Sequence, residues 1–119
     1  MPGSSRHHWG TEVDLNAFNN DWFASGKGKK LYNWLQQNAA HFGFCQPYTA
    51  KGLNGRSGYN EEKWHWSYVP LAGPYTEQAQ QLHNSTIQGF KGAETAEAVN
   101  IVGDYVLGIN PRCRLQNPG

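Results

Sequence analysis

The sequence predicts an α+β fold, a small sheet packed against helices, and three patterns lead there. Polar and apolar residues alternate through Glu12-Val13-Asp14-Leu15-Asn16, the period-two signature of a strand with one buried face. The run Trp64-His65-Trp66-Ser67-Tyr68-Val69 is aromatic and β-prone, and reads as a second strand. Between them Leu31, Trp34, Leu35, Ala39 and Phe42 recur at helical spacing, an apolar stripe that must pack on the sheet.

In the first strand Glu12, Asp14 and Asn16 share one face, and Val13 and Leu15 are expected to be buried on the other. His7 precedes Gly10, where a tight turn brings the chain back over the strand. Ala17 to Gly28, rich in Asn, Gly and Ser, reads as a surface loop. Its lysines lack the following Ser/Thr and the glycine spacing of a phosphate loop. The helix runs from about Lys29 to Phe42, with Gly43 as its C-cap. Phe44 to Pro47 is a short extended piece, and Tyr48 to Asn60 is a polar, Gly-rich loop of the kind that shapes a groove. In the second strand His65 and Ser67 lie opposite Trp64, Trp66 and Tyr68. After the break at Pro70 to Pro74, Tyr75 to His83 reads as a short helix. Ala93 to Leu107 reads as a longer one, with Ala98, Val99, Val102 and Val106 on its inner face.

Chemistry concentrates in two stretches, S-R-H-H-W-G-T-E-V-D at Ser5 to Asp14 and E-K-W-H-W at Glu62 to Trp66. Together they supply two imidazoles and a carboxylate, His7, Asp14 and His65, with Glu62 as a second carboxylate free of the metal. That is the inventory of a hydrolytic Zn²⁺ site, in which three protein ligands leave a position open to water. A neighbouring carboxylate then takes the proton as the water attacks a carbonyl.

These stretches resemble the zinc D-alanyl-D-alanine carboxypeptidases, which share a metal-site core with lysostaphin-type endopeptidases and the hedgehog signalling domain. The signature S-x-H-x-x-G-x-A-x-D is matched by Ser5, His7, Gly10 and Asp14, and E-x-x-H-W by Glu62, His65 and Trp66; Glu12 replaces the usual alanine. The similarity runs roughly from Pro2 to Val69. It implies a hedgehog-like antiparallel sheet carrying the zinc site, with His7, Asp14 and His65 as ligands and Glu62 as general base. It also implies a role for Ser5 in holding the substrate's terminal carboxylate, for which a turn-capping hydroxyl is the simpler alternative. The family's substrate-binding arginine lies upstream of the motif, leaving Arg6 or Arg56 as substitutes. Tyr59 is a further substrate contact, or an ordinary loop residue, and Trp66 a pocket wall or a packing residue beneath the site. The substrate implied is a peptidoglycan stem peptide in the periplasm or outside the cell.

Composition bounds the rest. A chain of 119 residues suits one domain, a core over 2–69 with a C-terminal extension over 70–119. Ten Lys/Arg against nine Asp/Glu give a net charge of +1, so no field argues for nucleic acid or an anionic membrane. No apolar run approaches the ~20 residues of a membrane span, and the first residues lack a secretion signal. The motif begins four residues after Met1, so a fragment or a shortened gene is expected. Cys45 and Cys113 form a disulfide joining the middle to the C-terminus, or are two small buried thiols. His8, pointing away from the metal by alternation, is structural or supports a ligand from behind, and His41 and His83 are ordinary surface or core residues. Three alternatives to the carboxypeptidase stay open: an endopeptidase with the same zinc centre, a non-catalytic zinc module, and an aromatic-rich cell-wall-binding domain.

Overall fold

The computed structural model describes residues 4–52 and 56–115. Its sheet has three antiparallel strands, β1 (Glu12–Asp14), β2 (Phe44–Cys45) and β3 (His65–Tyr68), in the order β1-β3-β2. The late strand therefore lies between the two early ones. Its register pairs Glu12 with Ser67, Val13 with Trp66 and Asp14 with His65 on one side, and Cys45 with Ser67 on the other. Backbone bonds from Leu15 N–H to Trp64 C=O (3.0 Å) and from Tyr68 N–H to Thr11 C=O (2.8 Å) extend the first pairing.

Helix α1 (Gly26–Asn38) packs on one face of this sheet. It begins earlier than the apolar stripe suggests, and a 3-10 turn at Asn20–Ala24 precedes it where a plain loop was expected. Leu35 and Ala39 meet Trp66 of β3 in the core, with Leu15, Leu31, Tyr32 and Phe44 around them. Gly43 caps the following 3-10 turn (Ala39–Phe42) at φ 86°, its N–H bonded to the Ala39 and Ala40 carbonyls; that left-handed geometry favours glycine.

The first strand departs from its expected burial. Val13 stays 42% exposed, whereas the Glu12 side chain is fully enclosed. The strand lies at the sheet edge, so the α1 layer only partly covers Val13. Glu12 points into a polar cluster with Arg6 and Ser67. Asn16 takes φ 64° just beyond the strand, so it ends the alternation rather than continuing it.

Helix α2 (Val69–Ala79) follows β3 without a break. Pro70 sits in its first turn, where a missing N–H costs nothing, so the proline that suggested a break marks a helix start. Farther on, the continuous helix expected over 93–107 is replaced by a 3-10 turn at Ala93–Thr95 and a π-helical turn at Ile101–Val106. Between them Asn100 adopts φ 49°, which interrupts any helix. Ile87, Ala96 and Ile101 form a small cluster there, while Val99 is exposed.

The C-terminal segment is tied back to the middle of the chain. A Cys45–Cys113 disulfide joins them with Cα atoms 5.5 Å apart, and Asn110 N–H bonds the Pro47 carbonyl at 2.8 Å. Gly58, at φ +73°, lies where an added Cβ would stand 2.3 Å from the Asp104 carbonyl oxygen; only glycine lets the 56–60 loop approach this closely. None of the described helices is long and apolar enough to cross a membrane.

Candidate metal centre

Three elements converge to form the site. Arg6–Trp9 is a 3-10 turn capped at its start by Ser5, whose hydroxyl accepts the His7 N–H at 3.2 Å, and closed by Gly10 at φ 72°. This turn hangs His7 over β1. Asp14 ends β1, and its cross-strand partner is His65. Residues directly opposite in an antiparallel pair put their side chains on the same face, within reach of each other.

Among the described residues, His7, Asp14 and His65 form a group whose potential ligand atoms all lie within 4.8 Å of one another. His7 Nε2 is 3.3 Å from Asp14 Oδ2, and the two imidazole centroids are 4.7 Å apart. Around a tetrahedral ion with ligand bonds of ~2.1 Å, ligand atoms are separated by roughly 3.4 Å. The His7–Asp14 pair already meets that spacing. The wider separations, up to 4.8 Å, must contract by up to about 1.4 Å, which the 43% exposed His7 side chain has room to provide. Two imidazoles and a carboxylate are also the donors Zn²⁺ takes in hydrolytic sites, so the residues fit the ion.

Glu62 lies beside them, its Oε2 3.4 Å from His65 Nδ1. Its backbone is held firmly for a loop residue: the Glu62 N–H bonds the Tyr48 carbonyl at 2.9 Å, and Gln46 Nε2 donates to the Glu62 carbonyl at 3.2 Å. Asn20 clamps both neighbours, donating to the Glu61 carbonyl at 2.8 Å and accepting the Lys63 N–H at 2.9 Å.

On the same sheet face, deeper in the fold, Glu12 meets the other nitrogen of His65, with Oε1 3.0 Å from Nε2. Burial alone would push the Glu12 carboxyl up; bonds from His65, Thr11 and Ser67 and the charge of Arg6 outweigh it and hold the group at about 2. Burial likewise disfavours the charged form of His65, yet the bonds and charges of Glu12 and Glu62 raise its pKa above the ordinary value.

The cavity above this cluster, about 290 Å³, is lined by Ser5, His7, Asp14, Phe18, Tyr48, Tyr59, Glu62, Trp64 and His65. Its walls are aromatic. Tyr48 meets the His65 ring edge-on at 4.9 Å, Tyr59 leans on Tyr48 at 4.9 Å, and Phe18 meets Trp64 at 6.1 Å. Burial pushes the Tyr48 phenol up, so it stays neutral at physiological pH.

Six of the residues singled out in the sequence thus come together: His7, Asp14, His65, Glu62, Ser5 and Tyr59. Two expected substrate contacts fall elsewhere. Arg6 is 1% exposed, its guanidinium buried against Glu12, Thr76 and Ser67, to which it donates, rather than facing the cavity. Trp66 points to the α1 side and its indole N–H donates to the Lys63 carbonyl at 3.1 Å; its alternation with His65 along β3 requires this. Arg56 is also spent, donating to the carbonyls of Thr49, Ser57, Tyr59 and Gly108. Sequence reasoning passed over Glu12, Phe18, Tyr48 and Trp64 as site residues. For Glu12 the available signal was its place on the same strand face as Asp14; for the aromatics there was none beyond their abundance.

The comparisons with known proteins follow the same residues. The family profile described as VanY, D-alanyl-D-alanine carboxypeptidase, matches residues 1–71. An uncharacterised protein of Haemophilus influenzae is 36% identical over 86 residues, covering 60% of this chain and 63% of that protein. A D-alanyl-D-alanine carboxypeptidase of Enterococcus faecalis is 38% identical over 71 residues, covering 60% of this chain and 25% of that enzyme. The chain therefore spans less than two thirds of the length of either relative. No solved structure matches. Matched over more than half its length by a profile that includes both signature stretches, the chain belongs to the VanY family of D-alanyl-D-alanine carboxypeptidases.

Proposed function

We propose that this chain is a zinc-dependent peptidase domain that hydrolyses the C-terminal D-Ala-D-Ala bond of peptidoglycan stem peptides. One observation carries the reading: His7, Asp14 and His65 converge within 4.8 Å with the Glu62 carboxylate at their side. His7, Asp14 and His65 hold the ion. When bound, zinc supplies Lewis acidity, lowering the pKa of water toward ~7 and polarising a peptide carbonyl.

The chain's own residues do the rest. Glu62 accepts a proton from the attacking water and returns one to the leaving amine, for which its clamped backbone fixes the carboxylate at the cavity wall. Tyr48, Tyr59, Phe18 and Trp64 line the cavity with flat apolar surface, against which a short peptide displaces water. The hydroxyls of Ser5 and Tyr59 offer hydrogen bonds to the substrate's polar groups. The peptidase core spans 2–69 and the segment over 70–119 braces it. A disulfide-bonded protein suits the oxidising cell envelope.

A second reading, cleavage within the stem peptide, is favoured by one feature. A free C-terminal carboxylate calls for a planar cation, and among the described residues neither Arg6 nor Arg56 lines the cavity, each guanidinium being turned onto partners elsewhere. The decisive experiment is Glu62→Gln. The variant should hold zinc as the wild type does and lose hydrolysis of a D-Ala-D-Ala peptide by at least ~100-fold; unchanged turnover removes the assignment. Running the wild type on the same peptide with its C-terminus amidated separates the two readings, because only the endopeptidase tolerates the cap.

A further inference from the structure

Glu12 stands where the resembled signature carries alanine, and its carboxylate is the hub of a buried hydrogen-bond network. Oε1 accepts from Arg6 Nε at 2.9 Å and meets His65 Nε2 at 3.0 Å; Oε2 accepts from Thr11 Oγ1 at 2.6 Å and Ser67 Oγ at 2.8 Å. Arg6 anchors the far side, donating from Nη1 to Thr76 Oγ1 at 2.9 Å and from Nη2 to Ser67 Oγ at 3.1 Å. The Thr76 hydroxyl in turn donates to the Ala72 carbonyl at 2.9 Å.

The directions in this network are fixed by what each group can offer. An ionised carboxylate only accepts, so the proton between Glu12 and His65 belongs to Nε2. A neutral His65 is then the Nε2–H tautomer, and its lone pair lies on Nδ1, the nitrogen on the Glu62 side of the ring. We propose that Glu12, held by Arg6, is a positioning residue for the metal centre, locking the His65 ring so that Nδ1 is presented as the ligand atom. The inference rests on the zinc reading above. Carboxylates that take the second N–H of a ligating histidine set both its tautomer and its basicity, and their loss typically weakens metal binding 10- to 100-fold.

The test combines two measurements on the full chain. In the metal-free wild type, at a pH where the ring is neutral, ¹⁵N NMR of the His65 imidazole should show the Nε2–H tautomer. Zinc affinity, measured by chelator competition, should fall by about 10- to 100-fold in Glu12→Gln; Glu12→Asp, which keeps the charge, should recover part of that loss. A predominant Nδ1–H tautomer in the wild type overturns the proposal, as does a folded Glu12→Gln chain that binds zinc within about threefold of the wild type. If Glu12→Gln does not fold, the wild-type tautomer decides alone. A wild-type chain that takes up no zinc defeats the metal reading itself, whereas zinc uptake with the wrong tautomer defeats only the role of Glu12.

Discussion

Asp14 and His65 face each other across β1 and β3 as direct register partners, so two of the three proposed ligands are set by strand pairing and only His7 arrives on a turn. His65→Ala should therefore leave the chain sub-stoichiometric in zinc after dialysis. Asp14→Asn, which keeps the shape and removes the charge, should weaken zinc binding while leaving the sheet intact. Elemental analysis checks both, and a full complement of zinc in His65→Ala would contradict the ligand assignment.

The Arg6 guanidinium and Glu12 carboxylate are both fully enclosed, 2.9 Å apart. Removing one partner of a buried pair strands the other charge, at a cost of about 3–5 kcal/mol. Arg6→Ala should lower unfolding free energy by that order in urea titrations. Arg6→Lys should recover only part of it, because a single ammonium cannot reach Glu12, Ser67 and Thr76 together. A loss below about 1 kcal/mol in Arg6→Ala would show that the network relaxes around the gap.

The metal-free chain should have an acid limit set largely by Glu12. Its carboxyl falls from 4.5 to about 2 on folding, so its contribution is complete above pH 4.5 and disappears as pH drops through 2. The difference corresponds to about 3 kcal/mol. For His65, raised above 6.5, the sign is opposite: its share is present below pH 6.5 and fades as pH rises through the folded value. Thermal melts of metal-free protein should thus peak between pH 4.5 and 6.5, and Glu12→Gln should flatten the acid side. An acid limb unaltered by that substitution would point to other carboxyls.

Cys45 and Cys113 are 68 residues apart, and closing a loop of that length removes chain entropy from the unfolded state equivalent to about 4 kcal/mol. Reductant, or the Cys45→Ser/Cys113→Ser pair, should lower the melting temperature clearly. Zinc uptake at temperatures below the new transition should persist, because none of the proposed ligands lies on the C-terminal segment. Loss of zinc on reduction, with the fold intact by circular dichroism, would show that this segment shapes the site.

The proposed ligand set was legible because metal chemistry restricts the residue types and the two signature stretches preserve their spacing. Strands β1 and β3 and helix α1 were legible because their periodicities differ. What escaped was whatever depends on partners far away in the chain. Arg6 looked like a spare cation beside a motif; only the fold brings Ser67 and Thr76, 61 and 70 residues on, to consume it. Glu12 looked like the solvent side of an amphipathic strand, because alternation specifies two faces without saying which is inside. Over 93–107, helical spacing was real but weak, and Asn100 in a left-handed conformation overrode it.

The bond between Cys45 and Cys113 closes a covalent ring around the stretch that carries Tyr48, Tyr59, Glu62, His65 and all of α2. A protease that nicks the backbone inside this ring makes two fragments that cannot drift apart. Such a cleaved molecule would migrate as an unbroken one on a gel without reductant, and the severed loop would stay tethered beside the cavity it helps to wall.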